Sequence, residues 1–412
     1  MKHSLLIAAG LMLLIAGCAP ARLIHSKINR SSKSLQYHAG FVLYDPSVQR
    51  TLLEINGDKF FTPASNTKVF TLLACAETLS DTVPGLQFRI AGDSLIFRGT
   101  GDPSFLNPET WSGKSVWSIL KTFPGQLYFD ESGVQPEPYG PGWMWDDYDA
   151  YFQAEKSAFP IYGNSLQMRL SKNRLVVSPS AFRDSVRISD DSVVSFRREL
   201  YRNRFTYQRS DSLKRTVPIL RIAAHTRWLL ADTLDRTVAV YPGNNHFYQN
   251  VIPGVPADSL YKTLMQESDN FIAEQLLMMA GRSLSDSLNG SAAVRYVLKK
   301  YFPSGRPPIW VDGSGLSRYN QITPLHMISA WVALHRNIPP ERLYPLLTQN
   351  KSLPFVHAKS GSMSNVWCLS GSIITKSGKT LFFSSMNANF TCPSRIIRSE
   401  IETILNLIHE RY

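Results

Sequence analysis

At 412 residues the chain is too long for a typical single core, and a composition of 43% hydrophobic and 18% charged residues excludes a disordered or low-complexity protein. The formal net charge of +12 suits a polyanionic partner such as a cell wall or an anionic membrane surface, while no basic helix or RNA-binding motif indicates nucleic acid.

The first segment, "MKHSLLIAAGLMLLIAGCAPAR", has a basic start, an apolar stretch and small residues before Cys18. This pattern is typical of a secretory signal over residues 1–17, and its Ile-Ala-Gly-Cys ending resembles a bacterial lipobox that leaves Cys18 acylated. Ala19, the residue after Cys18, is not an acidic residue of the kind that retains lipoproteins in the inner membrane. We therefore expect a lipid-anchored envelope protein in the outer membrane, facing the periplasm. Plain secretion and an uncleaved anchor are the alternatives.

A short polar tether is expected over residues 18–36, which include "SSKSLQ". The next stretches, "YHAGFVLYD" and "RTLLEINGDKFF", predict two strands with a turn signal at Asn56-Gly57. After Ser65, apolar residues at helical spacing predict a core-facing helix: Val69, Leu72, Leu73 and Leu79.

Short alternating runs such as "SLIFRG" and "NRLVVSP" then predict a mostly β insert over residues 85–248. Helical spacing returns in "SDNFIAEQLLMMAG", and "VWCLSGSIITKSGKTLFFSSMNA" predicts a strand pair around a Ser-Gly turn. The last segment predicts a helix with one apolar face, made of Ile397, Ile401, Ile404, Leu405 and Ile408. The chain therefore indicates one domain, residues 37–84 and 249–412, interrupted by another.

Cys75, Cys368 and Cys392 are far apart and form no C-x-x-C pair or His cluster, so zinc and thioredoxin-like chemistry are unsupported. We expect the three cysteines to act as small buried hydrophobic residues, and whether two of them form a disulfide is left open.

Ser65 and Lys68 are the first candidates for chemistry. A serine hydroxyl is a weak nucleophile and needs a base within hydrogen-bond reach, and residues i and i+3 lie on one helical face. The alternative is an ordinary helix start, because S-x-x-K also occurs at 118–121 and 259–262, where we expect surface positions.

Two later motifs supply partners and follow the order S-x-x-K, S-x-N, K-T-G, with serine in place of threonine in the last. "SDN" lies at 268–270 and "KSG" at 359–361. Their rivals are less well placed: "SLN" at 287–289 is in a polar run, "SMN" at 385–387 is out of order, and a second "KSG" at 376–378 is in a predicted hairpin turn.

The chain resembles the class C low-molecular-mass penicillin-binding proteins, D-alanyl-D-alanine carboxypeptidase/endopeptidases of the penicillin-binding protein 4 type. The resemblance rests on six signatures in family order: "TPASNTK", "GTGDPSF", "PGWMWDD", "ESDNFIAEQLL", "DGSGLSRYN" and "AKSGSMSNVWCLSG". It implies an α+β or α/β fold: a β-lactamase-like transpeptidase domain of antiparallel sheet flanked by helices, interrupted by the β insert.

The resemblance also implies the catalytic roles. Ser65 is the acylated nucleophile, Lys68 its general base, and Ser268 passes protons toward the leaving amine. The backbone N–H groups of Ser65 and Ser362 form the oxyanion hole. No cofactor or metal is implied.

Substrate-binding roles follow in the same way. Asn270 holds the substrate amide, Lys359 and Ser360 bind the terminal carboxylate, and Gly361 permits close backbone approach. Arg318 is expected at the far end of the peptide.

Asp130 in "YFDES" aligns with an acid of the insert that meets a substrate amine. "GTGDPSF" and "PGWMWDD" are expected to be structural, with the tryptophans as packing anchors.

Two departures from the family pattern stand out. Lys-Ser-Gly replaces Lys-Thr-Gly, which keeps the hydroxyl. The segment "LYPLLTQNKSLPFVHAKSG" is shorter than in the family and lacks its usual arginine, which affects the grip on the peptide.

The sequence thus predicts a serine DD-peptidase that removes terminal D-alanine or cuts D-Ala cross-links of peptidoglycan peptides, with β-lactam antibiotics as inhibitors. One alternative is a wall-binding lipoprotein with weak catalysis. The other is a β-lactamase, which the large insert between Lys68 and Ser268 disfavours.

Overall fold

The structure, a computed structural model, describes residues 20–110, 115–131, 136–171, 174–189, 196–208, 214–221, 223–285 and 287–412. The predicted signal segment and Cys18 lie outside these residues. The chain divides into two compact units. The first comprises Met1–Leu73, Val297–Val311 and Arg318–Tyr412, and the second comprises Ala74–Tyr296 and Asp312–Ser317.

The helices of the described residues are α1 (20–34), α2 (Lys68–Thr78), α3 (Ser115–Thr122), α4 (Ala223–Leu234), α5 (Ala257–Lys262), α6 (Asn270–Arg282), α7 (Ser291–Tyr301), α8 (Pro324–Asn337), α9 (Pro340–Leu343) and α10 (Ser394–Arg411). The strands are β1 (His38–Asp45), β2 (Arg50–Ile55), β3 (Thr82–Ala91), β4 (Ser94–Gly99), β5 (Gln126–Phe129), β6 (Ser165–Ser171), β7 (Arg174–Ser178), β8 (Val186–Ser189), β9 (Phe196–Arg198), β10 (Phe205–Gln208), β11 (Lys214–Pro218), β12 (Val238–Val240), β13 (Asn250–Pro256), β14 (Thr348–Gln349), β15 (Val356–Met363), β16 (Val366–Ile374) and β17 (Thr380–Ala388).

The first unit contains a six-stranded sheet in the order β14-β15-β16-β17-β1-β2, with every neighbouring pair antiparallel. The predicted strands at β1 and β2 are confirmed, although the Asn56-Gly57 turn follows β2 instead of joining the two. The predicted strand pair β16–β17 is confirmed too, and the second "KSG" lies in its turn, where Gly378 has φ +82°.

Helices cover both faces of this sheet. The five predicted apolar residues of α10 are all buried against the sheet core that includes Phe41 and Phe383. Because successive side chains of a strand point to opposite faces, Ser370 faces away from this core, and there it accepts a hydrogen bond from Trp331 of α8. The expected antiparallel sheet flanked by helices is confirmed.

The expected polar tether is wrong over residues 20–34, which form α1. Ile24 and Ile28 are each 1% exposed and belong to the same core as α10. Their i, i+4 spacing gives a helix one apolar stripe, and burial of that stripe outweighs the polar composition around it.

The second unit contains a five-stranded mixed sheet, β12-β5-β4-β3-β13, and two three-stranded sheets, β8-β10-β9 and β11-β6-β7. The predicted insert, residues 85–248, falls within this unit, and its exact limits remain a prediction. Helix α6 is buried along nearly its whole length, as its apolar sequence requires, and its polar Gln275 donates to the carbonyl oxygens of Gly101 and Ser157.

Cys75 and Cys368 are buried, and burial raises the pKa of both thiols. Cys392 is half-buried, and all three cysteines are free thiols. In the part of the chain that the structure describes, the helices are too short or too polar to cross a membrane.

Candidate active site

Ser65 lies in a single 3-10 turn, Ala64–Thr67, that leads directly into α2. The Lys68 ammonium group donates a hydrogen bond of 2.9 Å to the Ser65 hydroxyl. Lys68 is fully buried, whereas Ser65 is half-buried and therefore reachable. The contact predicted from the S-x-x-K spacing is therefore present, with a reachable hydroxyl beside an amine that is shielded from water.

Strand β15 brings the third motif against this turn. A Cβ atom on Gly361 would lie 2.6 Å from the carbonyl oxygen of Pro63 and 2.8 Å from the amide nitrogen of Ser65. Both neighbours are backbone atoms, so only glycine permits this approach.

A chain of hydrogen bonds fixes the turn to the sheet. The Asn66 amide donates to the carbonyl oxygen of Lys359 at 3.1 Å, and its oxygen accepts from the Ser370 hydroxyl at 2.5 Å. Trp331 in turn donates to Ser370 at 2.9 Å. These three residues were not among the site residues predicted from the sequence, and only the position of Asn66 inside S-x-x-K gave any signal.

Lys359 is a second buried cation in the same unit, 2% exposed. Burial, and then the charge of Lys68, hold the pKa of Lys359 well below the usual value for lysine. Its ammonium group donates to the carbonyl oxygen of Ser360 at 2.9 Å. An arriving carboxylate would offset both unfavourable effects.

The edge of β15 beside this lysine is not covered by a second strand within the described residues. Strand β14 pairs only with His357 and Ala358, so within the described residues the segment from Lys359 to Met363 has one strand neighbour, β16. Ser360 and Ser362 are exposed there. Such an edge can accept an extended peptide as an added strand.

Ser268 and Asn270 belong to the second unit. Ser268 has φ +58°, a left-handed conformation that is uncommon for serine, and it follows the π-helical turn Thr263–Glu267. The Asp269 carboxylate caps α6 by accepting from the Ile272 amide, and the Asn270 side chain donates to the carbonyl oxygen of Phe152 at 3.0 Å.

The "DGSGLSR" segment is a turn organised around Asp312. The Asp312 carboxylate accepts from the amides of Gly315 and Ser317 and from the Trp143 indole at 3.0 Å. Arg318 follows in the first unit, where it is exposed and donates to the carbonyl oxygen of Ser364. The expectation that the tryptophans are packing anchors is wrong for Trp145, which is 77% exposed.

Asp130 is buried in the second unit, and its carboxylate accepts hydrogen bonds from His246 and from the Tyr248 hydroxyl. Its predicted contact with a substrate amine remains a prediction.

The rival S-x-x-K motifs lie on helices with other partners. Lys121 of α3 donates to the carbonyl oxygen of Leu234, and the Ser259 hydroxyl at α5 donates to that of Pro256. The lysine of the second "KSG", Lys376, pairs with Glu410.

A serine bonded to a buried lysine at a helix start, beside a Lys-Ser-Gly strand, is the arrangement typical of serine acyl-transfer hydrolases. The model of the D-Ala-D-Ala carboxypeptidase 3 (S13) family matches residues 26–193 and 254–337. The chain therefore belongs to this family, and its enzyme class is serine-type D-Ala-D-Ala carboxypeptidase.

Individual relatives are similar to this chain over most of its length. D-alanyl-D-alanine carboxypeptidase DacB of Haemophilus influenzae is 24% identical, with 84% of each chain covered. The crystal structure of penicillin binding protein 4 (dacB) from the same organism superposes with a TM-score of 0.74 at 21% identity, covering 91% of this chain and 97% of that one. The penicillin G-acylated predatory endopeptidase Bd3459 of Bdellovibrio bacteriovorus gives 0.50 at 17% identity, covering 90% and 93%.

Proposed function

We propose that this protein acts in the bacterial cell envelope on peptidoglycan peptides, and that Ser65 is the residue that it acylates. The observation that carries the proposal is the 2.9 Å hydrogen bond between Lys68 and the Ser65 hydroxyl. Removal of terminal D-alanine and cleavage of D-Ala cross-links share the same acylation step, so one site serves both reactions.

In acylation, the Ser65 oxygen attacks the carbonyl carbon of the penultimate D-alanine while the hydroxyl proton moves to neutral Lys68. The repulsion between the Lys68 and Lys359 charges acts on both groups, and a neutral Lys68 relieves it. The C–N bond then breaks, and the departing nitrogen takes up a proton. Water hydrolyses the resulting ester and restores Ser65.

The other roles are part of the proposal. Lys359 and Ser360 bind the terminal carboxylate, and the backbone N–H groups of Ser65 and Ser362 stabilise the oxyanion. The approach of Gly361 to the Ser65 amide supports this arrangement.

Roles for Ser268, Asn270, Arg318 and Asp130 rest on the motif pattern. Ser268 delivers the proton to the leaving amine, and its left-handed backbone is the kind of strain that collects at functional residues. Asn270 holds the substrate amide, Arg318 the far end of the peptide, and Asp130 its amine.

β-Lactams are proposed inhibitors because they present an acyl donor to the same serine. The Bdellovibrio relative is itself described as penicillin G-acylated and as an endopeptidase. For this chain the same ester at Ser65, slowly hydrolysed, would block turnover.

Mass spectrometry after incubation with penicillin G, followed by peptide mapping, tests the proposal. The expected result is one adduct on the peptide that contains Ser65, and none in a Ser65→Ala variant. Ser259→Ala, which alters a serine of the same S-x-x-K spacing, is the matched control and should still be labelled. An adduct that persists in folded Ser65→Ala protein would show that another residue is the nucleophile.

We further propose that the chain is exported and acylated at Cys18, which would anchor it to the outer membrane on the periplasmic side. The support is the sequence pattern of residues 1–18. Metabolic labelling with an alkyne fatty acid should modify the protein, and Cys18→Ser should abolish the labelling while leaving acylation by penicillin intact. Labelling that survives Cys18→Ser would exclude this anchor.

A further inference from the structure

In the first unit, helix α1 and the start of α10 form a groove of about 430 Å³. Its lining includes Leu23, Lys27 and Arg30 from α1 and Ile396 and Glu400 from α10. Leu23, Lys27 and Arg30 follow each other at spacings of four and three residues, so they lie on one face of α1. None of the roles proposed above uses this groove.

Helix α1 is basic along its whole length. Residues 18–36 contain no acidic residue and four lysines and arginines, which are Arg22, Lys27, Arg30 and Lys33. Within the described part of the chain, none of these four side chains forms an ion pair with a carboxylate. Because the sequence predicted a tether here, no basic helix was expected. The positive charge of this helix is therefore available to an external anion.

The groove also exposes apolar side chains beside its cations. Leu23 is 48% exposed and Ile396 is 36% exposed, each at the margin of a helix whose other apolar residues are buried. Glu400 is the acidic residue of the lining, and Lys27 and Arg30 together outweigh its charge. Exposed aliphatic side chains among lysines and arginines match the boundary between headgroups and acyl chains of a bilayer.

The position of α1 in the chain favours a membrane over the cell wall as the source of the anion. The helix begins at residue 20, two residues after Cys18. Since a chain spans at most about 3.6 Å per residue, the backbones of Cys18 and the first residue of α1 are at most about 7 Å apart. An acylated Cys18 would therefore hold α1 beside the lipid headgroups. This step rests on the acylation of Cys18 proposed above.

We propose that this face of α1, with Ile396 of α10, is a docking surface for an anionic phospholipid membrane. Lys27 and Arg30 bind the lipid phosphates, and Leu23 and Ile396 contact the adjoining acyl chains. An acyl anchor fixes one point of the chain, whereas docking of α1 also fixes the orientation of the first unit on the membrane. The inference does not depend on acylation of Ser65.

The test is flotation with vesicles of the exported chain, residues 18–412, carrying Cys18→Ser. No acyl anchor contributes in this protein, so the result is independent of whether Cys18 is acylated in cells. The vesicles are phosphatidylcholine alone and phosphatidylcholine with about 30% phosphatidylglycerol. Binding to the anionic vesicles is expected, at least tenfold weaker on the neutral ones and falling as salt is raised.

The double variant Lys27→Gln/Arg30→Gln should weaken binding to the anionic vesicles roughly 30-fold, because each cation near such a surface contributes about fivefold. If this variant fails to fold, Arg30→Glu at an exposed position replaces it and should weaken binding by a similar factor. Circular dichroism and thermal unfolding establish that each variant is folded.

Lys299→Gln/Arg336→Gln is the matched control, because it removes two exposed cations from α7 and α8. These two helices are joined by the hydrogen bond from Asn337 to Tyr301, and α8 covers the face of the sheet opposite to α1 and α10. The control should change binding less than twofold.

Two results would overturn the proposal directly: absence of binding to the anionic vesicles, or unchanged binding in the folded Lys27→Gln/Arg30→Gln or Arg30→Glu protein. Isolated sacculi are the third probe. Sedimentation with sacculi that requires Lys27 and Arg30, without binding to vesicles, would assign this face to the cell wall and would likewise overturn the membrane assignment.

Discussion

Lys68 is fully buried beside the Ser65 hydroxyl, and a second buried lysine, Lys359, is close enough for the two charges to affect each other. The charge of Lys68 disfavours a second charge on Lys359, because burial removes the water that would screen the two from each other. The two residues therefore suit the opposite tasks proposed for them, in which Lys68 takes a proton from Ser65 and Lys359 binds an anion of the substrate.

Lys68→Ala should slow acylation of Ser65 by a fluorescent penicillin by about 10²- to 10⁴-fold, the range typical of a lost general base. The reason is that the Ser65 hydroxyl would have no adjacent group to take its proton. Stopped-flow or gel-based measurement of the second-order acylation rate gives the value. Lys262→Ala, which changes the lysine of another S-x-x-K motif, should leave the rate unchanged. Equal rates for Lys68→Ala and the unaltered protein would exclude Lys68 as the base.

The lowered pKa of Lys359 predicts how substrate binding depends on pH. The ammonium group is charged below its pKa and neutral above it, so affinity for a terminal carboxylate should be present at lower pH and fall as pH rises. The fall should begin below the usual titration range of lysine and reach about tenfold per pH unit. The measurement is the Kd of a peptide ending in D-Ala-D-Ala for Ser65→Ala protein across pH.

The control for Lys359 is the same peptide with a C-terminal amide, which offers no carboxylate. Its weaker binding should be nearly independent of pH in this range. Parallel curves for acid and amide would mean that Lys359 does not bind the carboxylate.

At the scale of elements, the site depends on how closely the Ala64–Thr67 turn packs on β15. Gly361 lets the two backbones approach, and Asn66 ties the turn to the carbonyl oxygen of Lys359. A turn held by both contacts keeps the Ser65 hydroxyl in one place beside β15, and such preorganisation is what the acyl transfer proposed for Ser65 requires.

Gly361→Ala should therefore displace the turn that carries Ser65. The added methyl group would lie under 3.0 Å from backbone atoms of Pro63, Ser65 and Asn66, which cannot move independently. We expect acylation to fall by at least 100-fold and the protein to lose about 1–3 kcal/mol of stability. Penicillin labelling and thermal unfolding measure the two effects.

Gly378→Ala is the matched control, because Gly378 ends the second "KSG" and has open space around it. Its φ of +82° makes alanine mildly unfavourable, about 1 kcal/mol, but acylation should be unaffected. Normal acylation in Gly361→Ala protein would contradict the close packing.

The sequence predicted the elements whose periodicity is strong. The apolar face of α10, the helix α6 and the β16–β17 pair each contain enough regularly spaced apolar residues to define their type. The spacing of Ser65 and Lys68 likewise predicted their contact, because both residues lie within one helical turn.

What the sequence left out depends on contacts between distant residues. The bonds from Asn66 to Lys359 and Ser370 link residues 293 and 304 positions apart, and no local pattern indicates such a pair. The helix α1 was missed because Ile24 and Ile28 are the only buried hydrophobic residues among its described positions, 20–34, and polar residues dominate the rest.

On the scale of the whole molecule, the chain leaves the first unit at Ala74, forms most of the second unit, and returns to the first at Val297. The first and third motifs belong to the first unit and the second motif belongs to the other, which explains why so many residues separate Lys68 from Ser268. The first unit also uses both ends of the described chain, because α1 and α10 share one core.

This organisation predicts that α1 is part of the folded enzyme. A chain that begins at residue 20 keeps α1 and should therefore fold and be acylated by penicillin. It lacks Cys18, so the predicted lipid anchor plays no part. A chain that begins at residue 36 loses the buried side chains of Ile24 and Ile28, each worth about 1.5–3 kcal/mol, and should unfold at a clearly lower temperature. Ile28→Ala should cost about 2–5 kcal/mol in the longer chain, whereas Leu23→Ala, at a position 48% exposed, should cost far less. Thermal unfolding of these four proteins is the measurement. Equal melting temperatures for the chains starting at 20 and 36 would mean that residues 20–34 are only a tether. Lower melting temperatures for the chain starting at 36 and for Ile28→Ala, but not for Leu23→Ala, would make residues 20–34 a structural element of the peptidase.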